Sequence, residues 1–381
     1  MAHSKGRSPT GARRRRGPRN RKVRVAVIGV GNCARSFVEG VHHYRDASPN
    51  DRVPGLMHVN LGGYHISDIE FSAAIDIDRN KVGRDLSAAI RARINNALQI
   101  CRVPNLGVKV MRGMTHDGLG TYLREVIKVA PGETVDVAQL LKDTHTDVVV
   151  NYLPVGSEEA TKWYVEQILQ AGCALVNCIP VFIASERYWQ RRFRAAGLPV
   201  LGDDIKSQVG ATILHRIITN LFIARGMRIL HMYQLNVGGN NDFRNMLERS
   251  RLTSKKISKT NAVASQLVNA GIVLDADDIH VGPSDFVPWL GDNKVCFIRV
   301  VAEHFGGQKM VIDVRLSVQD SPNSAGIVID AVRFAKLALD NGLKGQISAP
   351  SSYLFKTPPP PQPTDEVAFR RTESFIRRYG W

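Results

Sequence analysis

Val27-Ile28-Gly29-Val30-Gly31-Asn32-Cys33-Ala34 closes the β-branched run that begins at Val23 and leads into a helical segment from about Asn32. A strand, a G-x-G-x-x-A turn and a helix together form the dinucleotide fingerprint. Gly29 permits the tight turn, Gly31 lets backbone N–H groups approach a pyrophosphate, and Ala34 is the small residue where helix meets strand. The fingerprint also expects an acidic residue about 20 positions on, at the end of the second strand. Here the next good strand, Ile69 to Ile77, delivers Asp76 much later, so an insertion intervenes. Residues 45–65, with Pro49, Pro54, Gly55, Gly62 and Gly63, read as that insertion: a cover loop near the cofactor or a passive surface excursion. Asp76 is a candidate for the adenosine ribose, and Asp85, in Val82-Gly83-Arg84-Asp85-Leu86, is a second acid for the adenosine end. The sequence does not rank them.

Strand and helix then alternate through Thr146 to Leu153, Ser157 to Gln170, Ala174 to Cys178 and Ala184 to Ala196, the βαβ pattern of a parallel sheet. Pro154 and Gly156 break the first of these strands where a doubly wound sheet places cofactor-contacting loops, although Ser157 also suits a plain N-cap. Beyond Lys206 the pattern changes. A long apolar helix, Ala211 to Ala224, precedes a strand from Ile229 to Val237, and Val295 to Ala302 with Met310 to Val318 read as an antiparallel pair. The expected fold is α/β, a Rossmann-type doubly wound parallel sheet with a second α+β domain for catalysis and oligomerisation. Its expected divisions are a disordered basic arm at 1–22, an NAD-binding domain at 23–205, the second domain at 206–320, and a return to the first at 321–381.

At 381 residues and 44% hydrophobic content, the chain has enough apolar surface for a sizeable core divided over two domains. The formal charge of +16 suggests nucleic acid until it is localised. Ten Lys and Arg lie in residues 1–24, which hold no Asp or Glu, leaving a net charge of +6 for the remainder. An arm with Arg13-Arg14-Arg15-Arg16 among Gly and Pro buries too little apolar surface to offset ordering entropy, so it reads as disordered. It suits RNA, anionic lipid or nothing specific, and the bland reading of a solvated arm without a nucleic-acid partner is favoured. No apolar run reaches bilayer length and none follows the basic N-terminus, so no membrane association and a cytoplasmic location are expected. Cys33, Cys101, Cys173, Cys178 and Cys296 show no CxxC pair or zinc-like spacing and read as reduced packing residues.

A second informative stretch, Gly202-Asp203-Asp204-Ile205-Lys206-Ser207-Gln208-Val209-Gly210, sets two acids, a lysine and a serine at one strand end. Singly, each suits a cap or a solvated charge, and Asp203 reads best as a cap. The chain, however, offers three further lysine segments: Ser254 to Thr260, Asp292 to Val295 and Tyr353 to Pro358. If helical, Lys255 and Lys259 project from one face, as a shared anion would require; an exposed basic face is the competing reading. A lysine desolvated among other cations has a lowered pKa and serves as acid or base near neutrality.

Taken with Asn151 to Glu159, Gly202 to Thr212, Asn236 to Asn245 and Gln319 to Asp330, these motifs resemble the myo-inositol-1-phosphate synthases, in their shorter prokaryotic branch, from Val23 to about Pro358. The resemblance implies conversion of D-glucose 6-phosphate to 1D-myo-inositol 3-phosphate with NAD consumed and regenerated in one turnover. The steps are oxidation at C5, enolisation toward C6, closure of C6 onto the C1 aldehyde and re-reduction at C5. By the same resemblance Lys255 and Lys294 lie near the C5 and C1 oxygens, Lys356 near the sugar or phosphate and Lys259 near the phosphate. Asp204, Asp242 and Asp320 would hold these lysines in register. The cofactor would meet Gly29, Gly31, Asn32, Asp76, Asp85, Tyr164, Ser207, Asp242 and Lys255, with an N-cap role open for Ser207 and a core role for Tyr164. A homotetramer is implied, and a divalent or monovalent cation is allowed, its ligands unassigned. Two rival classes stand beside this reading: an ordinary NAD-dependent dehydrogenase, which would accumulate NADH, and a nucleic-acid-binding regulator, which would need residues 1–22.

Overall fold

The computed structural model describes residues 22–275, 277–360 and 362–381, so all of the basic arm but Lys22 lies outside the described residues. The first part of the chain runs β1 (Val23–Ile28), α1 (Asn32–His43), a small hairpin of β2 (Asn60–Leu61) and β3 (Tyr64–His65), β4 (Ile69–Asp76), α2 (Leu86–Ala89) and β5 (Val110–Arg112). It continues through α3 (Thr121–Val126), α4 (Val137–Asp143), β6 (Val148–Asn151), α5 (Glu158–Ala171), β7 (Ala174–Asn177), α6 (Arg187–Ala195) and β8 (Pro199–Leu201). The second part comprises α7 (Ala211–Ala224), β9 (Arg228–Gly238), α8 (Asn241–Asn245), α9 (Thr253–Asn269), β10 (Ile279–Phe286), β11 (Asn293–His304) and β12 (Gln308–Gln319). The chain ends with α10 (Pro322–Asp340), β13 (Gly345–Gln346), α11 (Ser348–Leu354) and α12 (Asp365–Tyr379).

Seven strands form an all-parallel sheet in the order β13-β8-β7-β6-β1-β4-β5. Its central strands are continuous apolar runs because helices cover both faces. Val23, Val25 and Val27 point into one core with α1 and α10, whereas Ala26 and Ile28 point into the other with α5 and α6. The strand order reverses between β1 and β6, and a doubly wound sheet opens its ligand crevice at that switch, beyond the carboxyl ends of the strands.

The insertion at 45–65 is not a cover for that crevice. It packs on α10, where the buried Arg333 guanidinium donates to the carbonyls of His58 (2.8 Å) and Val59 (2.7 Å) and Met57 N–H donates to Asp330 (2.9 Å). Carbonyls without ladder partners needed a donor, and a buried arginine supplies three or more.

The second sheet has the order β10-β9-β11-β12, with β9 and β10 parallel and the other pairs antiparallel. The pairing of β11 with β12 matches the antiparallel pair expected from alternation. Met232, Cys296, Ile298, Val300 and Ala302 pack its inner face against α7 and α9. On the outer face Leu235, Phe297 and Val311 are exposed. Among the described residues no helix is long and apolar enough to cross a membrane.

Candidate active site

One cleft runs from the switch point of the parallel sheet to the inner edge of the second sheet, with a volume of about 1880 Å3 including its solvent-open part. Gly29, with φ +91°, makes the turn after β1. A Cβ there would lie 2.7 Å from the Tyr152 carbonyl oxygen, so only glycine lets β1 turn this close to the end of β6. At Gly31 a Cβ would meet no atom within 4 Å, and α1 has no side-chain cap, so its first N–H groups are free to meet an anion in the cleft. Ile77, Leu119, Leu123 and Ile127 add an apolar patch in the same cleft, and the buried Asn95 Nδ2 there has no partner. Turn, helix end, apolar patch and orphan donor fit an extended dinucleotide. Gly29→Ala is therefore expected to weaken dinucleotide binding at least about tenfold and to lower stability by about 1–3 kcal/mol, checked by ligand titration and urea unfolding.

Asp76 ends β4 and lines the cleft. One carboxylate oxygen accepts from the N–H groups of Ile77 and Asp78, the other from Val30 N–H (2.8 Å) and Lys81 Nζ (3.2 Å). Burial opposes its charge, and Lys81 with these N–H donors overcomes that and holds the carboxyl below the ordinary range. Asp76 thus also pins the fingerprint turn. Tyr164 and Ser207 line the cleft too, the Tyr164 hydroxyl donating to the Met114 carbonyl.

At the other end four lysines converge from three elements. Lys255 and Lys259 project from α9, one turn apart; Lys294 is the first inward residue of β11; Lys356 lies on the strand-like segment after α11. Backbone pairing of 203–206 with 354–357 puts Lys356 beside Asp204, and its Nζ donates to that carboxylate at 2.7 Å. Asp204 also accepts from the Ser258 hydroxyl (2.7 Å), which docks α9. Lys255 pairs with Asp242 (2.7 Å) and Lys294 with Asp320 (3.2 Å). Among the described residues Lys259 has no carboxylate partner, and its Nζ donates to the Ser284 hydroxyl at 3.3 Å.

Burial, followed by the Lys255, Lys294 and Lys356 charges, pushes the Lys259 pKa well below the ordinary lysine value. For Lys356 burial outweighs Asp204 and the pKa also falls, whereas for Lys294 the Asp320 charge outweighs burial and it rises. Burial disfavours the charged forms of Asp204 and Asp320, but neighbouring lysines hold both carboxyls low. The cleft therefore presents fixed ion pairs beside one buried amine that lacks a counter-charge, an arrangement for receiving an anion. Among the described residues no group of three or more His, Cys, Asp or Glu side chains is placed to hold a metal ion, and the cleft carboxylates are taken by lysines.

Three sequence readings change. Asp85 is not in the cleft: its carboxylate caps α2 through Ser87 N–H and holds Leu106 and Val108 N–H, so it is occupied away from any adenosine. The Asn32 amide donates to Asp292 (2.9 Å) and Asn96 (2.6 Å), which leaves its backbone N–H rather than its side chain for a pyrophosphate. Lys206, in the middle of its suggestive stretch, turns away to Asp365 and the Ser352 carbonyl. The left-handed φ of +59° at Asp204 breaks the strand alternation there and sends Asp204 and Lys206 to different partners. Asp203 accepts from the N–H groups of Ile183, Ala184 and Ser185 and holds that loop.

The sequence reading names Asn236 and Asp292 only as the ends of motifs and passes over Gln234. Gln234 and Asn236 occupy alternate inward positions of β9, where the apolar row should continue, and Gln234 Oε1 and Asn236 Nδ2 are buried without partners in the cleft wall. Polar residues on the inward period of a strand were the available signal. Asp292 joins the domains by accepting from Asn32, Asn240 and Ser321.

A Rossmann-type sheet with a fingerprint turn, opening on a lysine-rich cleft, defines a nucleotide-dependent enzyme. The family model described as myo-inositol-1-phosphate synthase matches residues 210–321. The inositol-3-phosphate synthase of Corynebacterium glutamicum is 53% identical over 356 residues, 93% of this chain and 98% of the relative. That of Mycolicibacterium smegmatis is 54% identical over 357 residues, again 93% and 98%. The chain belongs to the inositol-3-phosphate synthase family. A solved Thermotoga maritima protein related to myo-inositol-1-phosphate synthase shares the fold, with TM-score 0.77 and 23% identity over 93% of this chain and 98% of that one.

Proposed function

We propose that this chain converts D-glucose 6-phosphate to 1D-myo-inositol 3-phosphate with NAD held in the cleft, without net redox change. The observation that carries the reading is the join of the two half-sites: the fingerprint turn and the four lysines line one continuous cleft. When bound, NAD would supply a two-electron oxidant that is restored within the turnover. Gly29, Gly31, the first N–H groups of α1, Asp76, Tyr164 and Ser207 would hold it. Asp242 and Lys255 would stand where cofactor meets sugar.

The chain's own groups account for the remaining chemistry. Oxidation, enolisation, ring closure and re-reduction each build negative charge on a sugar oxygen, and a fixed ammonium there stabilises it without reorganisation. Lys255 and Lys294, steadied by Asp242 and Asp320, are assigned to the C5 and C1 oxygens, and Lys356, steadied by Asp204, to the sugar or phosphate. A lysine lowered in pKa moves protons near neutrality, as the enolisation and ring closure demand. Gln234 Nε2 donates to Asn236 Oδ1, and the remaining Gln234 Oε1 and Asn236 Nδ2 suit sugar hydroxyls. In this reading residues 23–205 and 321–381 carry the nucleotide, and 206–320 carry the chemistry and the subunit contacts. A homotetramer in the cytoplasm completes the proposal, supported by the exposed Leu235, Phe297 and Val311 on the open sheet face. No step is routed through a cation.

Incubation with glucose 6-phosphate and NAD, followed by phosphorus and proton NMR with absorbance at the NADH band, tests the reading. Inositol phosphate without lasting NADH supports it; lasting NADH with a ketosugar or lactone favours the dehydrogenase. Lys259 adds a linked prediction. Without ligand its pKa lies well below the ordinary lysine value, so above that pKa the amine is neutral. A phosphate dianion beside it favours the ammonium and raises the pKa. Binding of glucose 6-phosphate is then expected to take up as much as about one proton, and affinity to fall as pH rises through that window. Calorimetry in buffers of different ionisation enthalpy measures the uptake. Lys259→Met should abolish it.

A further inference from the structure

We infer that residues 91–97 form a strap that keeps the dinucleotide in the cleft through the whole turnover, with Asn96 as the positioning residue that latches it. This rests on the reading of NAD as an oxidant used and restored within one turnover. A cofactor reduced in the first step and needed again in the last must not exchange with solvent between them, and nothing in the lysine cluster prevents that.

The strap leaves the parallel-sheet domain just after α2 and crosses to the second domain. Its return is fixed on α1: the buried Glu39 accepts from Ile100 N–H at 2.6 Å and from Arg35 at 2.9 Å, and Cys101 Sγ donates to the Glu39 carbonyl. Its tip is tied to both domains. The Asn96 side chain accepts from Asn32 Nδ2 at 2.6 Å and donates to the Gly239 carbonyl at 3.1 Å, and Asn96 N–H donates to Asn32 Oδ1. From the other side Asn241 Nδ2 donates to the Ile94 carbonyl at 3.1 Å.

Between these ties Ile94 and Asn95 line the cleft together with Gly31, Asp76 and Lys81. Ile94 has φ +82°, a left-handed conformation that a β-branched residue adopts only where its surroundings force it. Asn95 Nδ2 is buried there without a partner, a donor set for something the cleft receives. The strap therefore spans the nucleotide end of the cleft, and its latch bonds must open for a bound dinucleotide to leave.

The test measures NADH release by stopped-flow fluorescence, displacing bound NADH with excess NAD, in the full chain and in Asn96→Ala. The substitution removes two latch bonds, and release is expected to be about tenfold faster. A redox dye in solution reads the consequence: during turnover of glucose 6-phosphate the wild type should leave it unreduced, and the variant should reduce it. Asn241→Ala cuts the second latch from another element and is expected to speed release likewise, so the outcome does not hang on the folding of one variant. Melting temperatures at wild-type values separate this from a general loss of structure. Product formation with unchanged NADH release in both variants overturns the strap alone; absence of NADH binding by the wild type overturns it together with the proposed function.

Discussion

Lys294→Ala is expected to lower kcat for inositol phosphate by at least about a thousandfold while the protein still binds NADH and melts as a single unit. Two effects act together. The oxyanion assigned to Lys294 loses its fixed cation, and one such donor is worth about 10²–10³ in rate. The change also leaves Asp320 without its ammonium, and a buried carboxylate so stranded takes up a proton or repels the next anion. Lys255→Ala, which removes the cation paired with the partly exposed Asp242, is expected to give a loss of the same order. Both are read from kcat under saturating glucose 6-phosphate, with NADH fluorescence as the control. Near-normal turnover in both would remove these lysines from the chemistry.

Asp365→Ala is expected to cost about 3–5 kcal/mol of folding stability, a large part of the total for a domain of this kind. Asp365 accepts from Lys206 at 2.9 Å and from Arg216 at 2.6 Å, and both cations are buried. Their shared carboxylate ties the start of α12 to α7 and to the segment after β8. Burial has already brought Lys206 down to about 8, so in the variant it sheds its proton, whereas Arg216 has no such escape. The sign with pH follows. Without Asp365, which holds its pKa up, the folded pKa of Lys206 falls further below about 8, so relative to wild type the penalty is largest just above the carboxylate range, is relieved as pH rises toward about 8, and changes little above that. Urea unfolding at two pH values measures this, and a loss below about 1 kcal/mol would contradict the buried-pair account.

Much of the fold was legible because its signals are local. The β-branched run at Val23–Ile28, the glycines after it, the helix over Ala211–Ala224 and the alternation of β11 and β12 each declare themselves within a dozen residues. The lysine cluster was legible only as four separate segments. Its convergence depends on pairing of 203–206 with 354–357 and on the register that sets Lys294 opposite Gly238. Long-range pairings of this kind leave no mark in a single sequence. Lys206 misled because one left-handed residue, Asp204, reverses the side-chain direction that strand alternation assigns. Asp85 misled because a carboxylate before a helix looks the same whether it caps a helix or meets a ribose, and here it caps. The insertion at 45–65 looked like a loop over the cofactor because nothing in its composition reveals that the Arg333 side chain, almost three hundred residues on, takes up its carbonyls.

The internal redox cycle is tested most directly with glucose 6-phosphate carrying deuterium at C5, converted in the presence of excess unlabelled NAD and analysed by NMR and mass spectrometry. The account predicts that each inositol phosphate formed keeps its deuterium, because the hydrogen removed from C5 returns to the same carbon before the cofactor leaves the cleft. Deuterium appearing in free NADH, with unlabelled product or with a ketosugar left behind, would contradict it.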